Sequence, residues 1–231
     1  MPVTETFSVG EFMPLAHREI DDALASGRRP IVVGGTGLYL RAALCRLDLR
    51  PPPPPGVRER LARELEARGV AALHADLDRR APAAAATIAP TDRTRLLRAH
   101  ELLAAGEEPL PASGAESQLW SSEVRRPTLL VGLTMDRDAL YRRIERRVDH
   151  MLAAGVEEEV RRADAAGAST TARKAVGFED LLAGDVEGFR RRTRSLAKRQ
   201  LTWMRKIAGV WTLDVTGQGP AEVAELVAAR L

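Results

Sequence analysis

The sequence predicts an α/β protein, mostly helical overall, in which a parallel sheet flanked by helices carries a helical insertion domain. Two observations predict the sheet and a third the insertion. Short runs at Pro30–Val33, Pro127–Leu133 and Val210–Val215 have strand length, and the first two show the apolar pattern of strands covered on both faces. Helical periodicity flanks each run, so helices are available to cover those faces. Between the first two runs, five consecutive prolines, Pro51–Pro55, break regular structure, because proline fixes its own φ and donates no amide hydrogen. They mark the boundary between an α/β core of residues 1–50 with 127–231 and a helical insertion of residues 51–126.

The elements follow in order. Phe7 to Ser26 places Phe12, Leu15, Ala16, Ile20 and Leu24 at helical spacing, with Ser8 as N-cap and Glu11 three residues on completing a capping box. Gly27 with Arg28 and Arg29 ends that helix, and the buried strand Pro30–Val33 follows. It runs into Gly34-Gly35-Thr36-Gly37 and then Leu38-Tyr39-Leu40-Arg41, a Gly-rich turn opening a helix. From Val57 to about Gly114 the pattern is helical, through Leu61, Leu65, Val70, Leu73, Leu77, Leu96, Leu97 and Leu102, with breaks near Gly69, Pro82 and Pro90. A polar stretch from Pro111 to Arg126 returns the chain to the sheet at the second run. Helices at Asp138–Ala166 and Val186–Ile207, the third run and a helix at Ala221–Leu231 complete it.

Composition excludes several classes. At 231 residues and 45% hydrophobic side chains the chain can bury a full core, so it is not a disordered tail. No stretch approaches the ~18 apolar residues of a membrane span, and no basic-then-apolar leader opens it; the expectation is a soluble, cytoplasmic protein without a membrane partner. Cys45, the single cysteine, forms no internal disulfide and reads as a small buried apolar residue. Among 35 basic residues only Lys174, Lys198 and Lys206 are lysines. Arginine suits phosphate recognition, but a GC-rich genome would produce the same excess, and both readings stay open. Distribution says more than the net charge of +3: Phe189 to Lys206 holds eight basic residues and no acidic one, a patch that suits a polyanion.

The Gly-rich turn is the first site candidate. Glycines let a ligand approach the backbone, and amides at a helix N-terminus favour an anion such as a diphosphate. Thr36 adds a hydroxyl that both donates and accepts. A structural turn with no ligand is the alternative, and the P-loop pattern does not fit because no lysine follows. Arg143 and Arg147 lie four apart on one helical face, where two guanidinium groups could converge on a diphosphate. The competing reading is a solvated basic face paired with Glu145 and Asp149, to which Arg142 and Arg146 are assigned. Lys198, Arg199, Gln200, Thr202, Trp203 and Arg205 combine cations, an amide and an aromatic ring, the set that holds an unpaired RNA loop. Trp203, at helical spacing from Leu196 and Ile207, reads either as core or as a stacking platform. His17, His74, His100 and His150 are scattered without ligand spacing, so no protein-held metal is expected.

Pro30 to Leu40, reading PIVVGGTGLYL, resembles the signature of tRNA dimethylallyltransferases. The resemblance resumes in order at Ala89-Pro90-Thr91-Asp92 with Arg95 and Arg98-Ala99-His100-Glu101, at Arg143 to Met151 with Gly155 and Glu159-Val160, at Lys174-Ala175-Val176-Gly177-Phe178, and at Ala197-Lys198-Arg199-Gln200-Leu201-Thr202-Trp203. It implies transfer of a dimethylallyl group from its diphosphate to N6 of the adenosine 3′-adjacent to the anticodon, with the adenine flipped out of the stack. By resemblance Thr36 is catalytic, orienting the amine and the departing oxygen. Gly34, Gly35, Gly37, Tyr39, Arg143 and Arg147 lie on the diphosphate and allyl side. Arg58, Thr94, Arg95, Arg98, Lys174, Gly177, Phe178, Lys198, Arg199, Gln200, Thr202, Trp203 and Arg205 contact tRNA. Phe178 replaces the family's tyrosine and so lacks its hydroxyl. The implied partners are the tRNA anticodon stem-loop and dimethylallyl diphosphate, the implied cofactor Mg²⁺, and the expected state a monomer.

The resemblance also implies an N-terminal strand, a P-loop and an Asp-Ser segment, none of which precedes Thr4. By resemblance that portion supplies the Mg²⁺ ligand and the proton acceptor. The expectation is therefore a P-loop-NTPase-like sheet that is partial at its N-terminus, with an exposed edge, in a chain whose own transfer activity is open. Two alternatives stand beside it: a tRNA-binding remnant without transferase activity, and a helical interaction module with no RNA partner.

Overall fold

The computed structural model describes residues 1–47, 49–50, 52–109 and 123–231. The chain divides into two compact units, Met1–Arg46 with Ser122–Leu231, and Leu47–Ser121. The sequence placed these divisions at Arg50 and Arg126.

The first unit opens with α1 (Val9–Ala25), started by the Ser8–Glu11 capping box. A turn through Gly27, at φ 68°, ends it. Helix α2 (Gly37–Leu44) packs on α1 through the Phe12 and Tyr39 rings, 4.9 Å apart. His17 holds the end of α2: its Nε2 lies 2.9 Å from the Ala42 carbonyl oxygen and 3.0 Å from that of Cys45. Cys45 is buried, donates to the Glu123 carbonyl at 3.0 Å, and burial pushes its thiol pKa up, as expected of a structural cysteine.

Strand β1 (Leu130–Thr134) and strand β2 (Val210–Asp214) pair in parallel, Leu130 opposite Val210 and Thr134 opposite Asp214. Gly132 lets the Met204 side chain lie on the sheet, because a Cβ there would meet the Met204 sulfur. Between the strands run α6 (Arg137–Ala153), α7 (Val156–Ala165), a 3-10 turn at Ala172–Lys174, α8 (Phe178–Leu182) and α9 (Val186–Lys206), with α10 (Pro220–Ala228) after β2. Ile144, Val148, Leu181 and Phe189 form the core under these helices.

The second unit consists, among the described residues, of α3 (Val57–Arg80), α4 (Pro82–Ala85) and α5 (Arg93–Ala104). Gly69, at φ 79° and ψ 164°, kinks α3 where the sequence placed a break. Leu65, Leu73, Leu77, Ala85, Leu96 and Ala99 form its core. The polar stretch read at Pro111–Arg126 lies mostly outside the described residues.

Three expectations need correction. Pro30–Val33 is not a buried strand: it has no ladder partner among the described residues, and Ile31 and Val33 are 81% and 88% exposed. An apolar run becomes a strand only where a neighbouring strand satisfies its amides and a layer covers its side chains. Leu133 in β1 is likewise 54% exposed, since the two-stranded sheet covers less than a full one would. Finally, the single helix expected over 138–166 is two, because Gly155 at φ 84° adopts a left-handed conformation that no α-helix contains.

Candidate functional site

Thr36 is the N-cap of α2, yet its hydroxyl makes no capping hydrogen bond and the residue is exposed. Most N-cap threonines spend the hydroxyl on a helix amide. Here it remains available to a ligand beside the α2 amides. The turn before it is open: a methyl group on Gly34 would meet nothing within 4 Å.

Two glycines of the turn explain which surface faces it. A Cβ on Gly35 would collide with the Gln200 amide, and one on Gly37 would fall within the Trp203 indole. The C-terminal half of α9 therefore lies directly on the Gly-rich turn, with Gln200 and Trp203 as its contact residues. Trp203 is half-buried, so it is neither full core nor a free platform: one part of the ring covers Gly37. Lys198, Arg199 and Arg205 are exposed, and Thr202 donates to the Lys198 carbonyl at 3.0 Å while its oxygen can still accept. The Tyr39 ring packs on Phe12.

The arginines of α6 sort themselves by ion pairing. Glu145 and Asp149, which the sequence offered to Arg142 and Arg146, are taken instead by α9: Arg190 reaches Glu145 at 2.6 Å and Asp149 at 2.5 Å, and Arg194 also binds Glu145. Arg142, Arg143, Arg146 and Arg147 are exposed and have no acidic partner among the described residues. Sequence spacing alone favoured the local pairs because it does not show the helix packed alongside. Arg143 lines a hollow with Arg142 and Arg146, whereas Arg147 does not, so the expected convergence of Arg143 with Arg147 is not seen there.

Other expected contacts are structural in this arrangement. Gly177 and Phe178 are buried, with Gly177 at φ 84° pressed on the Phe189 ring and the Phe178 ring under the Arg173 guanidinium at 5.4 Å. Both serve packing in this arrangement. Lys174, just before them, is exposed.

In the second unit, Arg58 makes two hydrogen bonds to Glu101, at 2.6 and 3.0 Å, and Arg98 makes a third at 3.0 Å while donating to the Arg50 carbonyl at 3.1 Å. Glu101 is 4% exposed; burial pushes its carboxyl pKa up, but hydrogen bonds and positive charge from Arg58 and Arg98 outweigh that and hold it below the usual value. Arg58 keeps its outer edge in solvent, at 63% exposure. Sequence reasoning passed over Glu101; the signal was an acid three residues after Arg98, one helical turn away. Thr94 and Arg95 are exposed, and Arg95 lies 3.6 Å from Asp92. Among the described residues no three His, Cys, Asp or Glu side chains gather as metal ligands. No helix among them is long and apolar enough to cross a membrane.

The arrangement is thus a Gly-rich turn with an uncommitted hydroxyl, overlaid by an amide and an indole of α9, whose exposed Lys198, Arg199 and Arg205 have no acidic partner among the described residues. Comparison with known proteins agrees with the order of motifs. The IPP transferase family model matches residues 1–207. The tRNA dimethylallyltransferase of Thermobifida fusca is 41% identical over 215 residues, covering 88% of this chain and 66% of that protein. That of Geobacillus kaustophilus is 38% identical over 235 residues, covering 96% of this chain and 74% of that protein. The chain thus spans about two thirds to three quarters of these curated relatives. The tRNA isopentenylpyrophosphate transferase of Bacillus halodurans superposes with a TM-score of 0.62 at 31% identity, over 99% of this chain and 75% of that one. A eukaryotic dimethylallyltransferase shares the fold, with a TM-score of 0.69 at 23% identity over 99% of this chain and 62% of that one. With the family model matching most of its length, the chain belongs to the IPP transferase family.

Proposed function

We propose that this protein takes part in transfer of a dimethylallyl group from dimethylallyl diphosphate to N6 of the adenosine 3′-adjacent to the anticodon of tRNA, as a monomer in the cytoplasm. The amine lone pair forms a bond to the allylic carbon as the carbon–oxygen bond breaks; the bonding electrons leave with the diphosphate, and the amine proton passes to water, no side-chain acceptor being assigned from this chain. The uncommitted Thr36 hydroxyl carries this reading: beside the α2 amides it can orient the amine and hydrogen-bond the departing oxygen. Gly34, Gly35 and Gly37 let the substrate approach the backbone, Gln200 and Trp203 hold the unstacked adenine against the turn, and Lys198, Arg199 and Arg205 bind the loop's phosphates. Arg147 stabilises the diphosphate; Arg58, Arg98, Arg95, Thr94 and Lys174 complete the anticodon stem-loop contacts. Mg²⁺ belongs to the reading as a counterion of the diphosphate, with no ligand assigned from this chain and no step routed through it.

The test is transfer of radiolabelled dimethylallyl diphosphate to unmodified tRNA with Mg²⁺, with tRNA retention scored in the same samples. Label in the tRNA is expected, reduced roughly 10²-fold or more by Thr36→Ala with retention unchanged. Retention without label would favour the other reading, a tRNA-holding protein without transfer; neither would overturn both.

A further inference from the structure

A hollow of about 330 Å³ lies where both parallel strands end, lined by Met135 after β1, Gly217 after β2, and Ala139, Arg142, Arg143 and Arg146 of α6. Ligands of α/β sheets bind outside the carboxyl ends of their strands. Three guanidinium groups facing one small space repel one another unless an anion is shared between them. Among the described residues the neighbouring acids are engaged elsewhere. Glu145 and Asp149 are held by Arg190 and Arg194. Asp136 is spent capping α6 through the Asp138 and Ala139 amides, and Asp214 accepts from the Thr216 amide and hydroxyl. Asp138 does not line the hollow.

We infer that this hollow binds a phosphate group, and that its occupant is a backbone phosphate of the bound RNA, remote from the reacting adenosine. The choice of source rests on exposure. All three arginines are exposed and the cavity has no buried donor to retain a small ion, so a free phosphate would be held weakly. A phosphate tethered to an RNA already bound elsewhere arrives at high effective concentration and needs no enclosure. The occupant, though not the anion site, rests on the reading that the chain binds tRNA.

The experiment measures tRNA affinity against salt for the wild type, for Arg142→Gln/Arg146→Gln, and for Arg142→Lys/Arg146→Lys, with thermal midpoints checked for intact folding. Inorganic diphosphate is titrated into the same proteins as the small-anion probe. The Gln variant is expected to bind tRNA about tenfold more weakly, with a slope of log K against log salt shallower by about 1 to 2, while the Lys variant keeps most of the slope. Unchanged slope in the Gln variant with wild-type binding intact overturns the site and leaves the tRNA reading standing. Tight diphosphate binding that the Gln variant loses, without loss of RNA affinity, overturns the RNA as occupant. A wild type that binds no tRNA overturns the tRNA reading and this occupant together.

Discussion

At the scale of single residues, Gly37 is required for what lies against it. A methyl there would occupy the Trp203 ring, so Gly37→Ala must displace the indole or shift α9. We expect a loss of about 1–3 kcal/mol, read as a lower thermal midpoint. Trp203→Ala removes the obstacle, so the double variant should be more stable than the sum of the two single losses predicts. Additive losses would show that the ring does not cover Gly37. Glu101 makes a separate prediction through pH. Its folded pKa is depressed, so the stability it contributes is complete above its unfolded value of about 4.3 and is lost as pH falls through the folded value. Acid melting of the wild type should therefore show a loss of stability below about pH 4 that Glu101→Gln lacks, the variant being less stable at neutral pH. Matching acid profiles would remove the carboxylate from this role.

At the scale of elements, α9 does two things at once. Its C-terminal half covers the Gly-rich turn, while its N-terminal half binds the acids of α6 through Arg190 and Arg194. Arg190 is 16% exposed and bonded to Glu145, Asp149 and Glu187. Arg190→Ala should lower stability by about 1–3 kcal/mol in chemical denaturation. It also releases Asp149, three residues from Arg146 of the hollow, while Glu145 keeps Arg194, so tRNA affinity should fall as well although Arg190 itself stays outside the proposed contacts. An unchanged affinity would mean that Asp149 does not reach Arg146. The strand-like run Ile31–Val33 shows the opposite case, an element whose local signal is strong and whose partner is missing among the described residues.

For the molecule as a whole, a net charge of +3 conceals a division of labour. Many arginines are neutralised in pairs, while Arg142, Arg143, Arg146, Arg147, Lys198, Arg199 and Arg205 of the first unit have no acidic partner among the described residues. If these meet phosphates, raising salt from 50 to 200 mM should weaken tRNA binding by about 10³-fold or more, because each contact releases condensed counterions. A flat response would sink the polyanion reading of this surface. Most helix positions, the Ser8 cap, the Gly69 break and the two strand segments were legible in the sequence, because periodicity, capping and proline or glycine chemistry act within a few residues. So were the Gly-rich turn and the basic segment of α9 as separate motifs. Their meeting was not legible, nor was the transfer of Glu145 and Asp149 to Arg190 and Arg194, nor the burial of Phe178. By itself the sequence determined which segments could form helices and which residues could bind an anion, since both depend on local covalent chemistry. Only the tertiary structure decided which cations stay free and which apolar run remains a strand, because charge pairing and ladder formation each need a partner that lies far away along the chain.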